Sequence, residues 1–188
     1  AWAQYACGAY GPCYESVRQL QERHEEFQLE LAQIEARCLA FMGRNVEARN
    51  LYLKIIRKND SNVDAYIELG SVAWELGDLR TVEDAGSRVV ALAPDRYEGY
   101  LLRGVYEQET GNHAEARHYF NEAVKRGADA ALPHLMLGRA LETQGDLASA
   151  RTSYRAALDA EPENLDAALL LQELEGRLQL TVVEPSTR

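Results

Sequence analysis

The sequence contains no long apolar run and no cluster of basic residues. Its longest apolar stretches, such as residues 167–171, are far shorter than the roughly 20 residues that cross a bilayer. The formal net charge is −10, and contact with phosphates needs a basic field, so nucleic-acid binding is disfavoured. The sequence therefore predicts no nucleic-acid partner and no transmembrane segment of its own. It leaves a membrane complex open as a partner.

Motifs that carry chemistry are also missing. There is no Gly-rich phosphate loop, no CxxC or HExxH pair and no nucleophile motif. Two of the four histidines, His113 and His118, are close in sequence, but their five-residue spacing places them on different sides of a helix and disfavours a metal pair. The sequence predicts no enzyme activity, no cofactor and no metal site.

Cysteine is scarce, with three residues in the chain. Cys7 and Cys13 lie in a segment containing Gly and Pro, where they form either a small disulfide loop in an oxidising compartment or two unpaired thiols. The chain begins Ala-Trp-Ala without a methionine, which is expected of a processed protein or a fragment, and these residues resemble a signal-peptidase site. These features favour an extracytoplasmic, periplasmic location, with the cytoplasm as the alternative.

What the sequence does contain is a strict repeat. Four glycines, Gly43, Gly77, Gly111 and Gly145, follow one another at intervals of 34 residues. Each is preceded by apolar residues at three- and four-residue spacing, suits the left-handed position that ends a helix, and is followed by residues that cap a new one. Other positions recur in the same register: small residues at Ala36, Gly70, Gly104 and Gly138, aromatics at Tyr52, Phe120 and Tyr154, and capping types at Asn45, Asp78, Asn112 and Asp146.

This pattern resembles the tetratricopeptide repeat, whose 34-residue unit has small residues and an aromatic at these offsets. The resemblance covers residues 29–164 as four repeats, which are 29–62, 63–96, 97–130 and 131–164. It implies an all-α fold, a right-handed superhelix (α-solenoid) of helix-turn-helix repeats. Residues 165–180 are expected to form a capping helix over the last apolar face, and residues 181–188 a flexible tail.

Residues 1–28 lie outside the repeats and are expected to form an aromatic, cysteine-containing leader and the start of a long N-terminal helix. Apolar residues in steps of three and four predict one helix from about Glu15 to Met42 with a heptad-like seam. Two covers for that seam are open: the leader folded back over it, or a partner or second copy. The leader would contribute Trp2, Tyr5, Tyr10 and Tyr14, whereas docking of a partner would use Val17, Leu20, Phe27 and Leu31.

The resemblance also implies where binding occurs, because the family lines a concave groove with the first helix of each repeat. The implied lining residues are Gln33, Arg37, Phe41, Ile67, Ser71, Trp74, Leu101, Val105, Gln108, Leu135, Arg139 and Glu142. Five of them form an apolar stripe that either binds an apolar segment or is buried inside the superhelix: Ile67, Trp74, Leu101, Val105 and Leu135. We expect binding, with Trp74 as the anchor, because large aromatics dominate interface energetics.

Residue types at these positions also exclude one family role. The Lys and Asn that co-chaperone repeats use to hold a C-terminal carboxylate are replaced here, for example by Arg37, Ile67 and Ser71. The sequence therefore predicts a protein-protein interaction scaffold that binds a protein segment in the groove, a peptide or a helix of a partner subunit. The alternative is a structural or assembly subunit of a larger complex, docked through its N-terminal helix and leader.

Overall fold

The computed structural model describes residues 8–23 and 28–183, with the surroundings of side chains 8–20 and 28–179. The described residues form ten α-helices and no strand. The helices are α1 (Tyr10–Arg23), α2 (Leu29–Phe41), α3 (Asn45–Lys58), α4 (Val63–Glu75), α5 (Leu79–Leu92), α6 (Tyr97–Glu109), α7 (His113–Arg126), α8 (Ala131–Thr143), α9 (Leu147–Ala160) and α10 (Leu165–Val183). Within these residues, no helix combines the length and apolarity needed to cross a membrane.

The chain divides into two compact units, residues 1–93 and 94–188. In the first unit α1 packs on α2, and α2 to α5 pack in chain order; in the second unit α6 to α10 do the same. The first helices of successive pairs also touch, α2 against α4 and α6 against α8. Each unit is therefore a stack of helix pairs built mainly from contacts between neighbours in sequence.

The core of the first unit follows from helical spacing. Each of three helices contributes buried residues at positions i, i+4 and i+7, which lie on one face of a helix. They form one cluster of Ala32, Ala36 and Leu39 from α2, Ala48, Tyr52 and Ile55 from α3, and Ala65, Leu69 and Val72 from α4. The apolar period read in the sequence thus becomes a continuous core between consecutive helices.

The recurring small residue and the recurring aromatic form one packing device in the second unit. A Cβ atom added to Gly104 would lie 2.4 Å from the Phe120 ring, and one added to Gly138 would lie 2.4 Å from the Tyr154 ring. Both rings are buried. The glycine therefore lets the two helices of a pair approach until the aromatic ring rests on the backbone of the first helix.

The four glycines of the 34-residue ladder all adopt the left-handed conformation, with φ between 70° and 83°. At Gly77, the glycine N–H donates to the Trp74 carbonyl and the Asp78 N–H donates to the Ala73 carbonyl, both at 2.9 Å. The same bond pair recurs at the other three turns. These are Schellman motifs, which satisfy the last carbonyls of the helix. The conformation expected at these glycines is confirmed.

Helix capping agrees with the sequence at two of the four expected positions. A carboxylate oxygen of Asp78 accepts from the Thr81 N–H, and one of Asp146 accepts from the Ser149 N–H, both at 3.2 Å. Asn112 stands at the N-cap but makes no side-chain cap bond, because its amide donates to the Glu107 carboxylate. The capping role expected of Asn45 is wrong, since Asn45 is the first helical residue and follows the N-cap.

The single long helix expected from Glu15 to Met42 is wrong. Two helices, α1 and α2, take its place, and Gln28 has extended backbone at the start of α2 (φ −91°, ψ 114°). Three pairings run in opposite order along the two helices, so α1 and α2 are antiparallel: Tyr10 with Phe41, Cys13 with Cys38 and Arg18 with Glu35. A heptad seam is equally compatible with a helix that continues and with two helices that fold onto each other.

The seam is covered from within the chain. Cys13 and Val17 of α1 pack with Ile34 and Cys38 of α2 in a buried cluster, and Tyr10 and Tyr14 pack against its edge. The leader reading therefore holds for Tyr10 and Tyr14, while Trp2 and Tyr5 lie outside the described residues.

At the other end of the chain, α10 buries Ala167 and Leu174. This helix continues to Val183, so the flexible tail expected from residue 181 begins too early. Residues 184–188 lie outside the described residues.

Candidate functional site

The first helices α2 and α4 lie side by side, with polar side chains bridging them. The Gln33 amide donates to the Asn62 side-chain carbonyl at 3.2 Å, and the Arg37 guanidinium donates to the Glu68 carboxylate at 2.9 Å. Arg37 and Glu68 are both partly exposed, so their charges offset one another at the surface. Gln33 and Arg37, predicted to contact a partner, therefore also hold the two helices together.

Large aromatic side chains are exposed on these same two helices. Phe41, at the end of α2, is 60% exposed, and Trp74, near the end of α4, is 37% exposed. One and two turns before Trp74 on α4, Ser71 is exposed and Ile67 is half-buried. The four predicted groove residues Phe41, Ile67, Ser71 and Trp74 form what we call the aromatic face. Exposed aromatics are enriched at protein interfaces, where they supply most of the contact area.

The aromatic face has a neighbour that the sequence did not assign to it. The Tyr10 ring of α1 stacks on the Phe41 ring with centroids 4.4 Å apart and planes inclined by 6°. Next to this stack, the Arg44 guanidinium lies 4.9 Å from the centroid of the Tyr14 ring. Tyr10 and Tyr14 were expected to cover the N-terminal seam, and their sequence carries no signal that one of them also extends the surface around Phe41.

In the second unit, the predicted apolar stripe is buried. Leu101, Val105 and Leu135 are only 6%, 5% and 5% exposed. They are core residues, so the expectation that they present a binding stripe is wrong. Of the two readings that the sequence allowed, burial inside the protein holds for these three, and exposure holds for Trp74 in the first unit.

The polar groove residues of the second unit are partly committed to internal contacts. The Tyr154 hydroxyl donates to one Glu142 oxygen at 2.8 Å, and the Arg177 guanidinium of α10 contacts the other. Burial, together with the bond to Glu142, raises the pKa of Tyr154 well above its usual value. Arg139 is exposed and Gln108 is half-buried. The structure thus places Glu142 in a bridge between α8 and α10.

The four residues expected to dock a partner at the N terminus have different environments. Val17 has no exposed surface, so it belongs to the core and cannot present a docking surface. Leu31 is partly buried against the same cluster, and Leu20 is exposed. Phe27 lies outside the described residues. Docking through the whole heptad seam is therefore ruled out, because the chain itself occupies that seam.

The expected disulfide partner Cys7 also lies outside the described residues, so the Cys7–Cys13 bond stays a prediction. Cys13 is buried against Cys38 in the cluster between α1 and α2. Burial, together with a hydrogen bond to Cys13, raises the pKa of the Cys38 thiol to about 12. Such a thiol stays protonated at neutral pH and is a poor nucleophile.

Three exposed leucines were missed by the sequence reasoning: Leu132 on α8, and Leu165 and Leu169 on α10. Leu169 follows Leu135 by 34 residues and so continues the repeat register into the capping helix, a signal that was present in the sequence. Among the described residues, no group of three or more His, Cys, Asp or Glu is placed to hold a metal ion.

A family model described as "Tetratricopeptide repeat" matches residues 35–97, 82–133 and 135–171. A search of the curated proteins finds no match. The matched segments cover more than half of the chain and include both units.

Several solved structures are similar to this chain over most of their length. The crystal structure of MamA has a TM-score of 0.69 at 17% identity and covers 86% of this chain and 94% of its own. TTC0263, a thermophilic TPR protein of Thermus thermophilus, has a TM-score of 0.79 at 17% identity, covering 92% and 93%. MamA 41-end of Desulfovibrio magneticus has a TM-score of 0.69 at 21% identity, covering 87% and 93%. These likenesses confirm the predicted all-α, α-solenoid fold class.

Proposed function

We propose, from the premise that this chain belongs to the tetratricopeptide repeat family, that it recruits a segment of a partner protein through the aromatic face of its first unit. The fold supports a protein-interaction scaffold in general, and proteins of this family are generally non-enzymatic. The finer statement concerns which residues bind. It rests on one observation: Phe41 and Trp74 are large aromatic side chains left exposed on neighbouring first helices.

The surroundings of Trp74 suit a short peptide or one face of a helix. Ser71, one turn earlier, offers a hydroxyl that now donates to the Ile67 carbonyl at 3.1 Å. The nearby Arg37 is already matched by Glu68, so the face carries little uncompensated charge from this pair. An apolar anchor of the partner against Trp74, with hydrogen bonds at its rim, is the expected mode of binding.

The test is site-specific cross-linking combined with substitution. A photoreactive amino acid placed at Ser71 in the full chain should cross-link a partner in extract of the native source. The same residue placed at the exposed Ser149, in the first turn of α9, should not. Trp74→Ala should abolish the Ser71 adduct, whereas Leu92→Ala, which trims another exposed apolar side chain, should leave it intact.

Circular dichroism should show that both variants keep their helix content. An adduct at Ser71 that survives Trp74→Ala in a folded protein would count against the aromatic face. The alternative role, a subunit docked through its N-terminal helix, has lost Val17 as a contact and now depends on Leu20 and Phe27. Deletion of residues 1–9 tests the remaining leader without disturbing the α1 and α2 pair, and under our proposal it leaves the Ser71 adduct unchanged.

A further inference from the structure

Two leucines stand out at the beginning of α10. Leu165 is 83% exposed and Leu169 is 55% exposed, and residues four apart lie on one face of a helix. Single exposed leucines are common on protein surfaces, but two on successive turns form an apolar strip that needs an explanation. We call Leu165 and Leu169 the C-terminal leucine face.

The repeat register gives that explanation. Leu101, Leu135 and Leu169 are equivalent residues at intervals of 34, and the first two are buried to 6% and 5% exposure. Leu135 belongs to α8, which has α10 beside it, as the contact between Glu142 and Arg177 shows. No further first helix follows α10 among the described residues. Leu169 is therefore exposed on the surface that the next first helix of an array would cover.

The other available face of α10 is less suited to a helix. An open cavity of about 480 Å³ lies there, lined by Leu158, Ala168, Leu171, Gln172, Glu175, Gly176 and Gln179. Three of these residues are polar, and Gln172 takes the register position that Gly104 and Gly138 hold in the preceding repeats. In those repeats, the glycine is what lets a second helix approach closely. The array thus closes on this face and stays open on the leucine face.

Charge around the leucine face identifies the kind of helix that fits. Residues 156–176 contain six acidic residues and no Lys or Arg: Asp159, Glu161, Glu163, Asp166, Glu173 and Glu175. The flanking cations are already used, since Arg155 pairs with Glu175 and Arg177 with Glu142. Glu173, one turn after Leu169, continues the same strip. A second copy of this chain would bring like charges together, whereas a cationic helix would find complementary ones.

We propose that the C-terminal leucine face binds a partner helix with leucine-type side chains on one face and Lys or Arg beside them. The bound helix takes the place of the next first helix, and its cations face the carboxylates around α10. This mode is the docking of an amphipathic helix on an apolar surface. It uses residues of the second unit alone and does not depend on the aromatic face.

The probe is a synthetic cationic peptide of about 18 residues, five helical turns, with leucines on one face and lysines flanking them. Its control has the same composition with the leucines distributed around the helix. Fluorescence anisotropy with the full chain should show affinity for the amphipathic peptide at least about tenfold above that for the control. Leu165→Ser/Leu169→Ser should lower the affinity for the amphipathic peptide by about the same factor. The matched variant Val46→Ser/Leu92→Ser, also in exposed apolar positions, should not.

Charge reversal gives a second, independent readout. Glu163→Lys/Glu173→Lys should weaken binding and flatten its dependence on salt, because fewer complementary charges meet. Equal affinity for the two peptides, or unchanged affinity in the folded leucine variant, would overturn the proposal. So would a dimer in sedimentation velocity that dissociates in Leu165→Ser/Leu169→Ser, because the occupant would then be a second copy. Failure of these tests leaves the Ser71 cross-link unaffected, so the two proposals are distinguishable.

Discussion

Tyr10 and Phe41, 31 residues apart in sequence, stack face to face with ring centroids 4.4 Å apart. The contact joins the beginning of α1 to the end of α2, which is possible only because these two helices are antiparallel. It also places one half-buried ring against a side chain that is 60% exposed. The N-terminal helix therefore stabilises the first repeat and at the same time forms part of the surroundings of the aromatic face.

We expect the Tyr10–Phe41 stack to contribute measurably to stability. Aromatic pairs of this geometry contribute about 1 kcal/mol beyond their buried area. A double-mutant cycle of Tyr10→Ala and Phe41→Ala, measured by urea unfolding, should give a coupling energy of about that size. Tyr10→Phe, which keeps the ring, is the control and should keep the coupling. A coupling energy near zero would mean that the rings meet without mutual stabilisation.

Gly138→Ala should destabilise the protein, because the new methyl group would lie 2.4 Å from the buried Tyr154 ring. Overpacking of this kind costs about 1–3 kcal/mol. Gly176→Ala is a matched control in α10, since nothing lies within 4 Å of the position that its Cβ would take. That control should raise stability by up to about 1 kcal/mol through helix propensity. Thermal midpoints of the two variants should therefore move in opposite directions, and a shift in the same direction would contradict the packing described for Gly138.

Acid should weaken the helix caps made by aspartate but not those made by asparagine. The hydrogen bond from the Thr81 hydroxyl lowers the pKa of Asp78, and that from Ser149 lowers the pKa of Asp146. A lowered folded-state pKa gives stability that is present above the unfolded value of 3.8 and is lost as pH falls below it. Asn62 caps α4 by accepting from the Ala65 N–H and does not titrate.

Two substitutions check this assignment. Asp78→Asn should change stability at pH 7 by less than about 1 kcal/mol, because Asn and Asp are comparable N-caps, and should reduce the loss of stability between pH 5 and pH 3 (about the carboxylate range). Asn62→Asp should increase that loss. Denaturant midpoints across this range provide the measurement, and parallel curves for all three proteins would refute the assignment.

Alkaline conditions should act through Cys38. Its pKa is raised from 9.0 to about 12 by burial, so the thiol stays protonated in the folded protein while it ionises in the unfolded chain. Stability from this source is complete below pH 9.0 and falls as pH rises toward 12. Cys38→Ala should show a shallower alkaline decline in thermal midpoint than the parent. In the native parent, a thiol reagent at about pH 8 should label Cys38 only at the rate of unfolding, and rapid labelling would contradict its burial.

The repeat register carried a large part of this structure because the determinants are local. A glycine that must adopt positive φ, as at Gly77, and an aspartate that caps the next helix, as at Asp78, act within a few residues of their own position. The spacing of 34 also brought Trp74 to a first helix, where its ring is exposed. Such features depend on the chain near each residue, so they can be read from a sequence.

Burial and chain reversal depend on distant contacts and could not be read in the same way. Leu101 and Leu135 have the pattern of a surface stripe, yet they are core residues. The seam from Val17 to Phe41 has one period whether the helix continues or folds back at Gln28. In each case the deciding energy comes from packing between helices, and the spacing of apolar residues is the same for both outcomes.

The difference between Leu135, which is buried, and its equivalent Leu169, which is exposed, has an evolutionary consequence. Residues 131–164 form a unit whose two ends match, because α10 meets α8 and α9 where a further repeat would meet them. Duplication of this segment would create a longer protein without a new core having to be invented, and Leu169 would keep its role at the growing edge. The C-terminal surface is thus both a docking surface for today's partner and the point at which the gene can be extended.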